Sequence, residues 1–229
     1  MATTASAYGL KPINLIGGQP FAGQFREYKM AADVGYGIYA GDVVYLSSAG
    51  LPQSLAVSNA SPTTTAITAA TPTATLVSPA GIVGVCVGVR YNNPASAGGQ
   101  SMYGQYIPAN AVTAGYTNIY VRVVDDPDAL FQIQGSAALG SFNSGTAGSG
   151  WPGAIGKNAA LGTFRSGSAT TGNSAMNLVV GSNGASLATT ATLALRIVDM
   201  VEGTESDAFP EFIVKFNHGL HSYYVPQGV

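Results

Sequence analysis

Charge is what this sequence has least of. Only 9% of its 229 residues are Asp, Glu, Lys or Arg, against about a quarter in an ordinary globular domain. Nine basic and eleven acidic residues leave a formal net charge of −2, too little to grip a phosphate backbone by counterion release, and nucleic acid is excluded as an expected partner. Cysteine is almost missing. Cys86 alone excludes an intrachain disulfide, and its place in the apolar run GIVGVCVGV predicts a small buried thiol and not a nucleophile.

Histidine is nearly as scarce. His218 and His221 in NHGLH are the only two, and zinc wants three or four ligands with supporting hydrogen bonds, so the segment reads as a polar C-terminal tail with no metal. No G-x-S-x-G elbow occurs, which removes the commonest hydrolase signature. With so few histidines, cysteines and carboxylates the chain lacks the usual stock for acid-base or nucleophilic work, and the expectation is a protein that is not an enzyme and carries no cofactor. A pair such as Asp125 and Glu202 would have to meet in space to cleave a glycoside. The longest apolar run, Gly81 to Val89, is about half of a membrane helix. The opening MATTASAYGL has neither the cationic region nor the apolar block of an export signal. These features predict synthesis in a reducing cytoplasm and no membrane partner.

What the sequence does have is glycine, proline and tyrosine: 30, 12 and 12 residues respectively. That mixture suits a turn-rich β protein and is poorly tolerated by helices. The expected fold class is all-β, an antiparallel barrel or sandwich with an extended N-terminal arm and long Gly/Ser/Thr-rich loops. In Ile119 to Gln134, IYVRVVDDPDALFQIQ, apolar residues alternate on both sides of a DDPD turn, and the simplest reading is two strands of one sheet. Asp125, Asp126 and Asp128 read as turn residues; the ligand ladder, glycine and closing glutamate of a calcium loop do not accompany them.

Residues 1–30 read as an arm broken by Gly9, Pro12, Gly17, Gly18, Pro20 and Gly23. Its apolar residues Tyr8, Leu10, Ile13, Leu15, Ile16, Phe21 and Phe25 are too many for a solvated tail. They fold onto their own domain or reach a neighbouring subunit. Residues 31–134 read as a β domain. Within it GYGIYAGDVVYL predicts one strand with a bulge at Gly41 and Asp42, GIVGVCVGVRY predicts a central buried strand, and Met102 to Ile107 another short one. Residues 58–80 are a Ser/Thr/Ala/Pro tract expected as a surface loop.

Residues 135–229 read as a second β portion, either a separate lobe or the completion of the same domain. The Gly-rich stretch 135–153 is a linker or a surface excursion, and Trp151, the sole tryptophan, reads as an anchor in the core or at a subunit contact. Met176 to Val180, Thr190 to Val201 and Glu211 to Asn217 complete the strand set, with the acidic EGTESDAFP loop as a solvated hairpin end. Gly35, Gly37 and Ala40, and Gly148, Gly150 and Gly153, imitate dinucleotide loops, but no helix pattern follows the first, and Asn158 after Gly156-Lys157 spoils a phosphate loop.

Taken together, YGLKPINLIGGQPFAG, YAGDVVYL, GIVGVCVGVRY, VDDPDALFQIQ and FNHGLH resemble the head decoration, or cement, proteins of tailed bacteriophages, from about residue 8 to residue 221. The resemblance implies a structural virion protein on the outer surface of an icosahedral capsid. Its implied partner is the major capsid protein, and its implied state a homotrimer that bridges capsomers and stabilises the shell. The Tyr8 to Phe25 residues and Trp151 are the expected contacts. A tail-associated or carbohydrate-binding β module, with tyrosines and Trp151 stacking on sugars, is the alternative. A major shell subunit is disfavoured because no window carries the sustained 3.6 periodicity of a spine helix.

Overall fold

The computed structural model describes residues 6–47, 49–55, 82–95, 99–139, 151–180, 186–189, 193–217 and 221–224. The 58–80 tract, residues 140–150 and His218 lie outside these. Among the described residues the protein is an all-β sandwich of antiparallel sheets, and no sheet closes into a barrel.

Sheet I takes β1 (Lys11–Leu15), β10 (Ala129–Gln134), β14 (Glu211–Phe216), β13 (Leu195–Met200), β11 (Asn158–Gly162) and β12 (Asn177–Val179), in that spatial order. Sheet II runs β2 (Arg26–Lys29), β9 (Thr117–Val124), β6 (Ile82–Asn92), β4 (Val43–Leu46) and β5 (Pro52–Ser54), with β7 (Ser101–Gly104) also paired to β6. A small third ladder joins β3 (Ile38–Tyr39) to β8 (Tyr106–Ile107). Among the described residues one short helix, α1 (Trp151–Ala154), precedes β11.

Two cores follow from the period-2 alternation of sheet II. Val43, Tyr45, Ile82, Val85 and Val124 point toward sheet I and join Leu10, Phe131, Leu161, Phe212 and Val214 between the sheets. Val44, Val83, Cys86, Val89, Ile119, Val121 and Val123 point the other way, under a cover that includes Met30, Val34, Ile38, Ile107 and Ala111. β6 is thus apolar on both faces because it is covered on both, as its β-branched run implies. Cys86 is fully buried, and burial pushes its thiol up to about 12. A maleimide reagent at neutral pH is therefore expected to leave the folded protein unlabelled and to modify Cys86 completely in denaturant. Equal labelling in both states would refute the burial.

Several expectations need correcting. β9 and β10 are not partners in one sheet: β9 already has β2 and β6 on its two edges, and β10 has β1 and β14. The Asp125–Asp128 turn instead carries the chain from sheet II to sheet I. The GYGIYAGDVVYL strand is broken at Gly41, whose φ of 91° turns the chain between β3 and β4. Gly9 crosses there so closely that a Cβ would sit 2.7 Å from the Gly41 carbonyl carbon. Met102 to Ile107 splits into β7 and β8, which join different sheets.

The N-terminal residues are built in. β1 edges sheet I and β2 edges sheet II, so within this chain 11–29 fold onto their own domain. Strands β11 to β14 lie in the same sheet as β1 and β10, through the β10 and β14 pairing of Phe131 with Val214 and Ile133 with Phe212. The β13 to β14 connection is a hairpin end as expected, but Asp207 in it is buried.

Candidate interaction face on sheet II

Sheet II extends past the cover that sheet I provides, and its side chains change character where it does. Along β9, Val124 faces the inter-sheet core, whereas Arg122 and Tyr120, on the same side by alternation, are only half-buried. On β6 a bulge makes the match. The register slips between Cys86 and Gly88, so one extra residue, Val87, is inserted. Without it Arg90 would share the face of Cys86 and point into the second core. With it Val89 turns inward and Arg90 lies opposite Tyr120.

The result is a row across four strands: Lys29 pairs with Tyr120, Tyr120 with Arg90, and Arg90 with Tyr103. The next row pairs Glu27 with Arg122, and Arg122 with Gly88, where the missing side chain leaves the guanidinium room. Arg122 lies between two rings, 4.7 Å from the Phe25 centroid and 4.2 Å from that of Tyr103. Arg90 lies 4.1 Å from the Tyr120 centroid. Glu27 ties the two cations together. It accepts from Arg90 Nη2 at 2.8 Å and Nε at 3.2 Å, and from Arg122 Nε at 3.2 Å. Hydrogen bonds from Arg90, supported by Arg122, hold the Glu27 carboxyl below the usual carboxylate range.

This lattice is open to solvent. Tyr103 is 65% exposed and Phe25 43%, and Lys29 is exposed at the strand end. Beside it Arg26 Nε meets Asp125 at 2.8 Å, and the Tyr28 and Tyr223 hydroxyls donate to the same carboxylate. Tyrosine, arginine and phenylalanine at half exposure are the residues that anchor protein contacts, because they bury much area with few rotors to freeze.

Of the residues singled out in the sequence whose side chains are described, only Phe25 joins this face. Leu10 is 1% exposed and belongs to its own core. Tyr8 is half-buried with Lys11 Nζ 3.8 Å from its ring centroid, Ile13 is half-buried in β1, and Leu15 and Phe21 pack against the main core. Ile16 is 46% exposed and lines a shallow cleft with Ile155, Arg196 and Val198. Trp151 opens α1, and its side chain lies outside the described residues. His221 corrects the expected polar tail: it is 1% exposed, bridges to Ile82, and burial holds its imidazole below the ordinary value.

Asp126 accepts from the Asp128 amide at 2.8 Å, the side-chain bond of an Asx turn. Among the described residues no group of three or more His, Cys, Asp or Glu side chains stands ready to hold a metal ion, and no helix is long and apolar enough to cross a membrane. No family model, curated protein or solved structure matches the chain.

Proposed function

We propose that this chain is a structural attachment protein, a capsid decoration protein that binds the outer surface of an icosahedral phage head and stabilises it by bridging capsomers. The observation that carries the proposal is the half-exposed lattice of Phe25, Glu27, Arg90, Tyr103, Tyr120 and Arg122, held in register on a rigid sheet. Its aromatic rings and guanidinium groups are already ordered, so docking freezes few side chains. The low overall charge suits dense packing of many copies, where a large single-sign charge would accumulate as repulsion. In this role the partner is the major capsid protein, the site is the virion exterior after synthesis in the host cytoplasm, and no reaction is performed. The segment likeness described above fits the same role.

The test is co-sedimentation of the purified chain with shells of the phage that encodes it, followed by calorimetry of the shells. Wild-type protein is expected to pellet with shells and raise their melting temperature. The Tyr103→Ala, Arg122→Ala double variant, checked by circular dichroism for an intact fold, is expected to lose at least about tenfold in occupancy. Wild-type protein that stays in the supernatant at saturating concentration ends the proposal. A carbohydrate-binding role has one observation in its favour, the exposed Tyr103 ring; retention on a glycan column with release by free sugar would select it.

A further inference from the structure

The charges of this sparsely charged chain are segregated. Three of the nine cations, Lys29, Arg90 and Arg122, share this face from β2, β6 and β9, with only Glu27 among them as a partner; Arg26 pairs with Val123 and meets Asp125 on the other side of the sheet. The face therefore carries a surplus of two positive charges on a chain whose total is −2. The opposite imbalance lies in one hairpin. Between Arg196 and Lys215 there is no cation, and Asp199, Glu202, Glu205, Asp207 and Glu211 supply five of the eleven acids. Asp207 is buried and Glu211 bonds Gln132, but Asp199 and Glu202 are exposed, and among the described residues neither forms an ion pair.

Arg122 is built to receive a carboxylate. Its plane is fixed by the Phe25 and Tyr103 rings and its Nε by Glu27. Among the described residues its two terminal nitrogens have no hydrogen-bond partner. A guanidinium held flat in this way presents a fork to a carboxylate at little further entropic cost.

We infer that the acidic β13 to β14 hairpin end of one copy docks on the Arg122 face of a second copy of this chain, with Glu202 and Asp199 meeting Arg122 and Lys29. The two surfaces differ, so the contact is heterologous: the copy that gives its hairpin keeps a free face and the copy that gives its face keeps a free hairpin, and further copies can add at either end. The inference does not rest on attachment to a shell, but it uses the same Arg122 face, so within one copy the two contacts exclude each other and the protein is tested without shells.

A charge-swap experiment on the full-length protein decides it. Sedimentation velocity at about 50 mM salt is expected to show association that weakens at about 500 mM, as screened charge contacts must. Arg122→Glu, or Asp199→Lys with Glu202→Lys, each opposes like charges and is expected to weaken association about tenfold or more. An equimolar mixture of the two variants re-creates opposite charges at every contact and is expected to restore the wild-type profile. A wild-type protein that is monomeric throughout, or variants that sediment like it, overturns the inference. Loss in both variants without recovery in the mixture overturns the hairpin as occupant. Binding of an acidic oligonucleotide that competes with self-association would reassign the face to another polyanion. Matching thermal melts of the variants and wild type guard against misfolding as the cause.

Discussion

Gly84→Ala is expected to destabilise the protein by about 3 kcal/mol or more, at the upper end of what overpacking a core costs. Gly84 is the third residue of β6, opposite Val44 of β4. A Cβ there would strike the Val124 carbonyl oxygen and stand 2.8 Å from its carbon and 2.9 Å from Val123 Cγ1. Real side-chain carbons essentially never approach within 3.0 Å, and backbone held in a ladder cannot swing aside as the end of a long side chain can. The change would push β9 away from β6 where both cores depend on the pair. Urea unfolding should show a lowered midpoint at an unchanged slope. Gly50→Ala supplies the comparison: its φ is 72° but nothing lies within 4 Å of the added carbon, so its cost is about 1 kcal/mol of backbone strain. If the two substitutions cost the same, the strands do not approach as closely as described.

The second large effect depends on pH. Asp42 is wholly buried at the turn between β3 and β4, where its carboxylate accepts from Ser174 Oγ at 2.5 Å and from the Tyr39 amide at 3.1 Å. Burial outweighs both bonds and raises its pKa from 3.8 to about 6. Between those two values the folded protein holds a proton that the unfolded chain has lost, so this group's contribution is fully present below the unfolded value and disappears as pH rises through the folded one. The loss amounts to about 3 kcal/mol across the window. Asp42→Asn cannot titrate and should lack it. Stability measured from about pH 4 to pH 7 should therefore fall more steeply in wild type than in the variant. Parallel curves would mean that Asp42 keeps its ordinary pKa.

The strands were largely readable because their period is local. Phe131 and Ile133 alternate with Gln132, Phe212 and Val214 with Ile213, and both sets fall on the buried face. Pairing was not readable, because nothing in the DDPD turn distinguishes a hairpin from a step between sheets; the choice is made by β1 and β14 taking the edges of β10. Hydrophobicity likewise could not say how the N-terminal residues divide between core and surface. Leu10 and Phe25 look equivalent in sequence, yet a two-core fold buries one and leaves the other out. The candidate face was the least visible feature. Arg90 meets Tyr120 only because a bulge at Val87 shifts β6 by one residue, and Glu27, Arg90, Tyr103 and Arg122 become neighbours through three separate ladders. The one available signal was arginine set among tyrosines at strand spacing in GVRY and IYVRV.

The step between sheets at Asp125 also divides the molecule in time. Every strand of sheet II has been synthesised once Val124 leaves the ribosome, whereas sheet I must wait for Phe216 to supply its interior strand. β1, among the first segments translated, finds its ladder partner only in β10, as late as Gln132, a long-range closure of the kind that slows folding. During that interval the nascent chain holds one finished layer whose inward-facing Val43, Ile82, Val85 and Val124 await their lid, and this is the stage at which newly made subunits are most prone to stick to one another.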